Sequence, residues 1–151
     1  VVPNSDHGGI KKFAERILVA FLNRFESQKQ VPQVITTMED NALTVTFTEK
    51  PVKIRRWTAV NPVARDFRYA CGINYTPSLI RVPAQGQLQV PLGHQQSGWQ
   101  ATFIEATFDD GFVATSRVFI TPDQAYPTEA PPASGAACQT LPGRGLGGDN
   151  P

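Results

Sequence analysis

The spacing of apolar residues divides the chain into three zones. In residues 10–29, large apolar side chains recur every three or four positions, which predicts one amphipathic helix. Its stripe consists of Ile10, Phe13, Ile17, Phe21 and Phe25, widened by Ala14, Leu18 and Leu22. Asp6 and the two glycines after His7 supply a helix start, and Val31-Pro32 is expected to end the helix, because a residue before proline avoids helical dihedrals. A stripe this wide must be buried against something large.

From about residue 33 to residue 121 the pattern alternates with a period of two, which is typical of β-strands. Two of these runs are joined by Asp109-Asp110-Gly111, a strong hairpin signal, and Glu105 in the first of them is expected to face solvent. About seven strands without a second helix predict mainly β structure, best fitted by an immunoglobulin or fibronectin type III-like β-sandwich. A small barrel is the competing architecture.

The last zone, residues 122–151, is rich in Pro, Gly, Ala and Ser and has almost no large apolar side chain. Such a segment buries too little surface to offset the entropy lost on ordering it, so we expect an extended tail. The pattern therefore divides the chain into a loop and helix (residues 1–30), a sandwich (residues 31–121) and a tail (residues 122–151).

Charge, hydropathy and cysteine content limit which ligands and environments the chain is expected to have. The 14 basic and 13 acidic residues leave a net charge of +1, which gives no electrostatic basis for binding nucleic acid. The sequence predicts no membrane span, and we expect no cofactor. No metal site is expected either, because the acidic pairs Glu39-Asp40 and Asp109-Asp110 fall at predicted turns rather than in a calcium loop. Whether Cys71 and Cys138 are bridged stays open at this point.

The first candidate for chemistry is His7. It lies in a short loop between an apolar segment and the long helix, which is how α/β-hydrolases present the histidine of a Ser-Asp-His triad. The chain has no Gly-x-Ser-x-Gly nucleophile elbow, so by itself it is not expected to be a competent hydrolase. The other histidine, His94, is expected to be a solvated loop residue.

The second candidate is a basic and aromatic stretch in and after a predicted strand. Trp57, Arg65, Asp66 and Arg68 have the composition of a binding hot spot. We favour a structural role instead, with the tryptophan packed across the sandwich and Asp66 paired with a neighbouring arginine. Alternation places Trp57 on the same side as two basic side chains, so this side faces either an apolar surface or a partner domain.

Two stretches resemble the PhoPQ-activated pathogenicity-related protein family, which includes the autocrine proliferation repressor proteins. They are Val2–Gly8, followed by the long helix, and Lys50–Arg68, above all Trp57, Ala59, Asn61-Pro62 and Arg65-Asp66-Phe67-Arg68. Members of this family resemble α/β-hydrolases with an appended β-rich domain. The resemblance implies that residues 1–30 are the C-terminal end of a hydrolase-like domain and that His7 is its triad histidine. The nucleophile and the acid would then lie in a missing N-terminal part.

Two functional hypotheses follow. In the first, the chain is the C-terminal fragment of a secreted or periplasmic α/β-hydrolase-like protein, a candidate serine hydrolase, and its partner is the missing N-terminal domain. In the second, the chain is an independent immunoglobulin-like module that binds protein or glycan. What the helix stripe contacts discriminates between them. A helix packed firmly on the sandwich favours the second hypothesis, and a helix that juts out, pairs with another copy or needs a partner to stay soluble favours the first.

Overall fold

A computed structural model describes residues 1–6, 8–93 and 95–126. Within them a short loop leads into one helix, which is followed by eight strands in two antiparallel sheets. The elements are α1 (Ile10–Glu26), β1 (Val34–Glu39), β2 (Ala42–Phe47), β3 (Lys53–Asn61), a 3-10 turn (Tyr69–Cys71), β4 (Thr76–Ile80), β5 (Gln87–Pro91), β6 (Trp99–Thr107), β7 (Val113–Thr115) and β8 (Phe119–Thr121). The predicted mainly β architecture with one leading helix is confirmed.

The two sheets pack face to face around one apolar core. The smaller sheet has the order β1-β2-β5, and the larger has the order β4-β3-β6-β7, with β8 pairing with β6 along the same edge as β7. Alternate residues of facing strands fill the space between the sheets: Leu43, Val45, Phe47, Ile54, Val90, Ile104 and Ala106. In the described part of the chain the strands form two separate sheets rather than a closed barrel, consistent with the immunoglobulin or fibronectin III type.

Tight turns fix the register of the hairpins. Asp40 and Asn41 have φ values of 48° and 59°, which Asp and Asn tolerate and which a two-residue hairpin turn requires. They join β1 to β2 so that Glu39 pairs with Ala42. Gly111, with a φ of 81°, closes the turn between β6 and β7, and its amide donates to the carbonyl oxygen of Phe108 at 3.0 Å.

The run from Phe112 to Ile120, which the alternating pattern predicts as one strand, is divided into β7 and β8. A buried serine causes the division. The hydroxyl of Ser116 accepts a hydrogen bond from the Ile104 amide (3.0 Å) and donates one to the Arg117 carbonyl (2.7 Å). The side chain thereby takes a position on β6 that a backbone carbonyl would otherwise occupy, and the ladder is interrupted there.

Helix α1 ends at Glu26 rather than at the predicted residue 29. Gln28 adopts a left-handed conformation with a φ of 54°, and the Lys29 amide donates to the Arg24 carbonyl at 2.9 Å. This is a common way to close a helix C-terminus. The Arg24 side chain also stabilises the residues after the helix, because its Nη1 donates a hydrogen bond to the Gln30 carbonyl at 2.9 Å.

The outer face of the larger sheet is covered as well. Residues 101–106 of β6 are all buried, so this strand is enclosed on both sides. The expectation that Glu105 faces solvent is wrong: Glu105 is 6% exposed and accepts hydrogen bonds from Arg55 Nη1 (2.6 Å) and Trp57 Nε1 (3.2 Å). The first residues of the chain also approach this face, where the Val1 backbone nitrogen donates to Thr115 Oγ1 at 2.9 Å.

Candidate functional site

Helix α1 is joined to the sandwich by the side chain of Arg24, which is 1% exposed. Its Nη1 and Nη2 donate to the two carboxylate oxygens of Glu49, each at 2.9 Å, and its Nε lies 2.5 Å from Asp110 Oδ2. The guanidinium also lies over two rings, 5.7 Å from the centroid of Phe108 and 5.4 Å from that of Phe112. One helix residue thus binds both the β2–β3 connection and the β6–β7 hairpin.

The charges in this cluster stabilise one another. Hydrogen bonding to Arg24 lowers the pKa of Glu49 below its ordinary value. Burial alone would raise the pKa of Asp110, but the hydrogen bond with Arg24 and the one from the Phe112 amide outweigh burial and lower it. The hydrogen bond with Glu49 in turn raises the pKa of Arg24. A planar guanidinium is suited to this place because its forked donors can serve two carboxylates at once.

Arg24 belongs to a line of helix positions that contacts the sandwich, which we call the docked face. Phe13, Ile17 and Ala20 precede it at spacings of three or four, so all four lie on one side of α1. Ala20 is 5% exposed, and Phe13 and Ile17 are half-buried. The rest of the apolar stripe lies beside this line. We call it the open face, and its members are 41% to 73% exposed: Ile10, Leu18, Phe21, Leu22 and Phe25.

The two faces of α1 meet along a shallow groove between the helix, the start of the chain and the β6–β7 hairpin. Its lining is mainly apolar and includes Val2, Phe13, Ile17, Phe21 and Phe112. Scattered apolar side chains on a protein surface are ordinary, but a continuous patch of large ones is typical of a surface that contacts another body. The open face and its groove are therefore the main candidate interaction site in the described part of the chain.

The predicted binding residues lie in two places. Trp57 is half-buried on the outer face of the larger sheet, and its ring stacks on Phe103 with centroids 6.1 Å apart and an interplanar angle of 11°. The expectation that Trp57 packs across the sandwich is wrong, because its register pairing with Phe103 directs both rings away from the core between the sheets. Arg65, Asp66 and Arg68 lie in the loop that follows β3.

That loop is fixed by its own hydrogen bonds. The Asn61 side chain accepts from the amides of Val63 and Ala64, both at 3.0 Å, and donates to the Asp66 carbonyl at 2.7 Å. The Asp66 carboxylate accepts from Arg68 Nε at 3.0 Å and from Arg68 Nη2 at 2.6 Å, and these bonds lower its pKa. The expected pairing of Asp66 with a neighbouring arginine is thus present, and a binding role for these residues stays a prediction.

Arg65 contacts the residues that follow β8. Its Nη2 donates to the Asp123 carbonyl at 3.3 Å, and its guanidinium lies 4.4 Å from the centroid of the Tyr126 ring. Trp99 Nε1 donates to the Ala125 carbonyl at 2.8 Å. The beginning of the predicted tail therefore packs against one end of the larger sheet. Its remainder, residues 127–151, lies outside the described residues.

His7, the candidate triad base, also lies outside the described residues, as does His94. Its catalytic role stays a prediction. Cys71 is disulfide-bonded, and its Sγ lies 3.5 Å from Asp66 Oδ2; Cys138 lies outside the described residues. Residues 1–6, 8–93 and 95–126 contain no group of three or more His, Cys, Asp or Glu side chains that could hold a metal ion. In the same ranges no helix has the length and apolar character needed to cross a membrane.

Sequence reasoning missed Arg24 and Glu49. The spacing of Arg24 could have predicted its burial, because this residue continues the line of Phe13, Ile17 and Ala20 on an otherwise apolar face of the helix. Glu49 carried none. Its role arises only because the β2–β3 connection and the β6–β7 hairpin approach the same helix residue in space.

Fold and site together describe a β-sandwich protein with a docked leading helix whose second face is open. The model of the PhoPQ-activated pathogenicity-related protein family matches residues 1–68, which include α1 and β1 to β3. The match covers residues 1–68 of 151 and confirms the resemblance to this family that the two stretches of sequence predicted. The match also includes Arg24 and Glu49. A comparison with curated proteins finds no match.

Among solved structures the chain is similar to parts of pectate lyases. Pel3 from Pectobacterium carotovorum is 10% identical over 65% of this chain and 28% of that chain, with a TM-score of 0.33. PelI from Erwinia chrysanthemi, in complex with tetragalacturonic acid, is 6% identical over 63% of this chain and 29% of that chain, with a TM-score of 0.32. The chain thus spans under a third of these structures, and similarity at this level carries no argument about fold or function.

Removing the Arg24 side chain is expected to destabilise the protein strongly. Breaking a buried ion pair from one side costs about 3–5 kcal/mol, and we expect about 2–3 kcal/mol for Arg24→Ala because Glu49 and Asp110 keep contact with water. Arg16→Ala removes an exposed arginine from the same helix and should cost no more than about 0.5 kcal/mol. Urea unfolding of both variants measures the difference, and equal losses of stability would contradict the assigned role of Arg24.

The Arg24 cluster also makes a pH dependence predictable. Glu49 and Asp110 have lowered pKa values in the folded state, so their contribution is complete above their unfolded pKa values near 4 and is lost as the pH falls through the folded ones. The difference in unfolding free energy between wild type and Arg24→Ala should therefore be constant from about pH 8 to pH 5 and shrink toward about pH 3. The lowered pKa of Asp66 contributes to the pH dependence of both proteins equally, so its contribution cancels in the difference between their unfolding free energies. If this difference in unfolding free energy stays constant down to pH 3, Glu49 and Asp110 do not stabilise the fold through Arg24.

Proposed function

We propose that the chain is the C-terminal part of an α/β-hydrolase-like protein, in which α1 is the last helix of the hydrolase-like domain and the sandwich is an accessory domain. One observation carries this proposal, namely the open face of α1. A helix that served the sandwich alone would need only one apolar face, whereas α1 has two that adjoin each other. The sheets of α/β proteins are covered by helices with wide apolar surfaces, so such a sheet is a fitting cover for the open face.

The Arg24 cluster supports the same proposal. A helix shared by two bodies must keep a fixed rotation about its axis. If it rotated by the angle between successive residues, polar side chains would enter one of the two interfaces. Two hydrogen bonds to Glu49 and an ion pair with Asp110, which lies in a separate segment, set that rotation more closely than apolar contacts do, because hydrogen bonds have a preferred direction. In this proposal the sandwich holds α1 in place for the preceding domain.

The chemistry assigned to His7 follows from its place before the last helix. It would accept the proton of a serine hydroxyl as general base and return it to the leaving group, with the serine and an acidic residue contributed by the preceding domain. The chain alone would not hydrolyse substrate, since its sequence has no Gly-x-Ser-x-Gly nucleophile elbow. We place the protein in a secreted or periplasmic compartment, which the disulfide bond of Cys71 supports.

The alternative is an independent immunoglobulin-like binding module for a protein or glycan, with Trp57, Arg65, Asp66 and Arg68 as candidate contacts. The burial of Arg24 and Ala20 favours it, because these two side chains attach the helix to the sandwich. The open face weighs against it, since a free-standing module would leave five large apolar side chains in water.

A substitution of His7 tests the proposal. The protein encoded by the complete reading frame is assayed for hydrolysis of a panel of activated esters, as wild type, His7→Ala and His94→Ala. Removing a general base should lower kcat/KM by about 10²–10⁴-fold, whereas His94→Ala should leave it within about twofold. Equal hydrolysis by wild type and His7→Ala would remove His7 from catalysis.

A further inference from the structure

The segment that precedes position 7 is fastened to the sandwich through one side chain. Asn4 Oδ1 accepts the backbone N–H of Tyr75 at 2.6 Å, and Asn4 Nδ2 donates to the Tyr75 carbonyl at 2.8 Å. One side-chain amide thus meets both backbone groups of one residue, which fixes direction as well as distance. Tyr75 immediately precedes β4, and its ring packs edge-on against Phe103 of β6 at 5.4 Å, so the point of attachment is continuous with the larger sheet.

The backbone of Asn4 is adapted to this contact. Its φ of 52° lies in the left-handed region, which asparagine enters far more readily than most residues. The chain therefore turns at the residue whose side chain makes the bonds. Upstream, the Val1 nitrogen donates to Thr115 Oγ1 of β7 at 2.9 Å, so the first four residues are tied to the larger sheet at two separate points.

On the other side of position 7 the chain is fixed to α1. Asp6 Oδ1 accepts the Gly9 amide at 2.8 Å, and the Asp6 carbonyl accepts the Ile10 amide at 3.2 Å. These bonds begin the helix, which Arg24 anchors to the sandwich further along. The loop is therefore bonded to the sandwich at Asn4 and to the first turn of α1 at Ile10.

We propose that Asn4 and Tyr75 form a clasp that positions the His7 loop on the sandwich, so that the accessory domain supports the catalytic base. This inference rests on the proposed hydrolase function. Asn4 is a positioning residue, because it acts through the loop and not on substrate. The clasp matters because a displacement of about 1 Å in a catalytic group can lower a rate about 10²-fold.

The first part of the test measures the clasp in the 151-residue chain by amide hydrogen exchange. Asn4→Gly keeps the left-handed backbone without strain and removes both bonds, and Asn4→Asp keeps the acceptor for the Tyr75 amide. We expect Asn4→Gly to speed exchange of the Tyr75 and Gly9 amides about tenfold, and Asn4→Asp to do so less. Asn74→Ala, which loses only a local bond to the Gly72 carbonyl, is the control. If Asn4→Gly leaves the Gly9 amide unchanged, the clasp does not hold the loop and the inference fails.

The second part measures ester hydrolysis by the protein encoded by the complete reading frame. We expect Asn4→Gly to lower kcat about 10- to 100-fold with KM within about twofold, because the base is displaced while the substrate site is intact. Asn4→Asp should recover part of that loss. An unchanged kcat in Asn4→Gly, where His7→Ala is inactive, overturns the clasp alone. Equal activity of wild type and His7→Ala instead overturns the proposed function, and the exchange of Gly9 then still decides whether the clasp holds the loop.

Discussion

The arrangement of this protein depends on the burial of one guanidinium. Taking Arg24 out of water has a desolvation cost of several kcal/mol, which is offset only because two carboxylates, one carbonyl and two aromatic faces surround it. An apolar residue at this position could dock the helix about as strongly. What the guanidinium adds is direction, since its hydrogen bonds to Glu49 and its ion pair with Asp110 favour one rotation of α1 about its axis.

That rotation determines what α1 presents to the outside. With Phe13, Ile17, Ala20 and Arg24 turned to the sandwich, the other large apolar side chains of the stripe point away from it. The Asn4 clasp attaches the segment before position 7 to Tyr75, the residue before β4, so the sandwich holds this segment as well as the helix. The family match through residue 68 extends over the loop, the helix and Glu49, which are the parts that this arrangement connects.

Local pattern was enough to predict much of this fold. Helical spacing predicted α1, alternation predicted the two-sheet architecture, and the Asp40-Asn41 and Gly111 turns were visible as hairpin signals. Features that depend on contacts between distant segments were not predictable. The burial of Glu105 required knowing that Arg55 and Trp57 lie beside it on β3, and the early end of α1 required knowing where the Arg24 side chain is held. The division between β7 and β8 arises because one serine hydroxyl replaces a backbone partner, which no periodicity reveals.

The central claim is that α1 connects two bodies, one through its docked face and one through its open face. Thiol labelling of Phe25→Cys tests this most directly, with Ala20→Cys on the docked face as the control. In the 151-residue chain the thiol of Phe25→Cys should react at nearly the rate of a free thiol and that of Ala20→Cys far more slowly, since positions 25 and 20 are 73% and 5% exposed. In the protein encoded by the complete reading frame, labelling of Phe25→Cys should become at least about tenfold slower, because a second body covers the open face. Labelling at the same rate in both proteins would contradict the account.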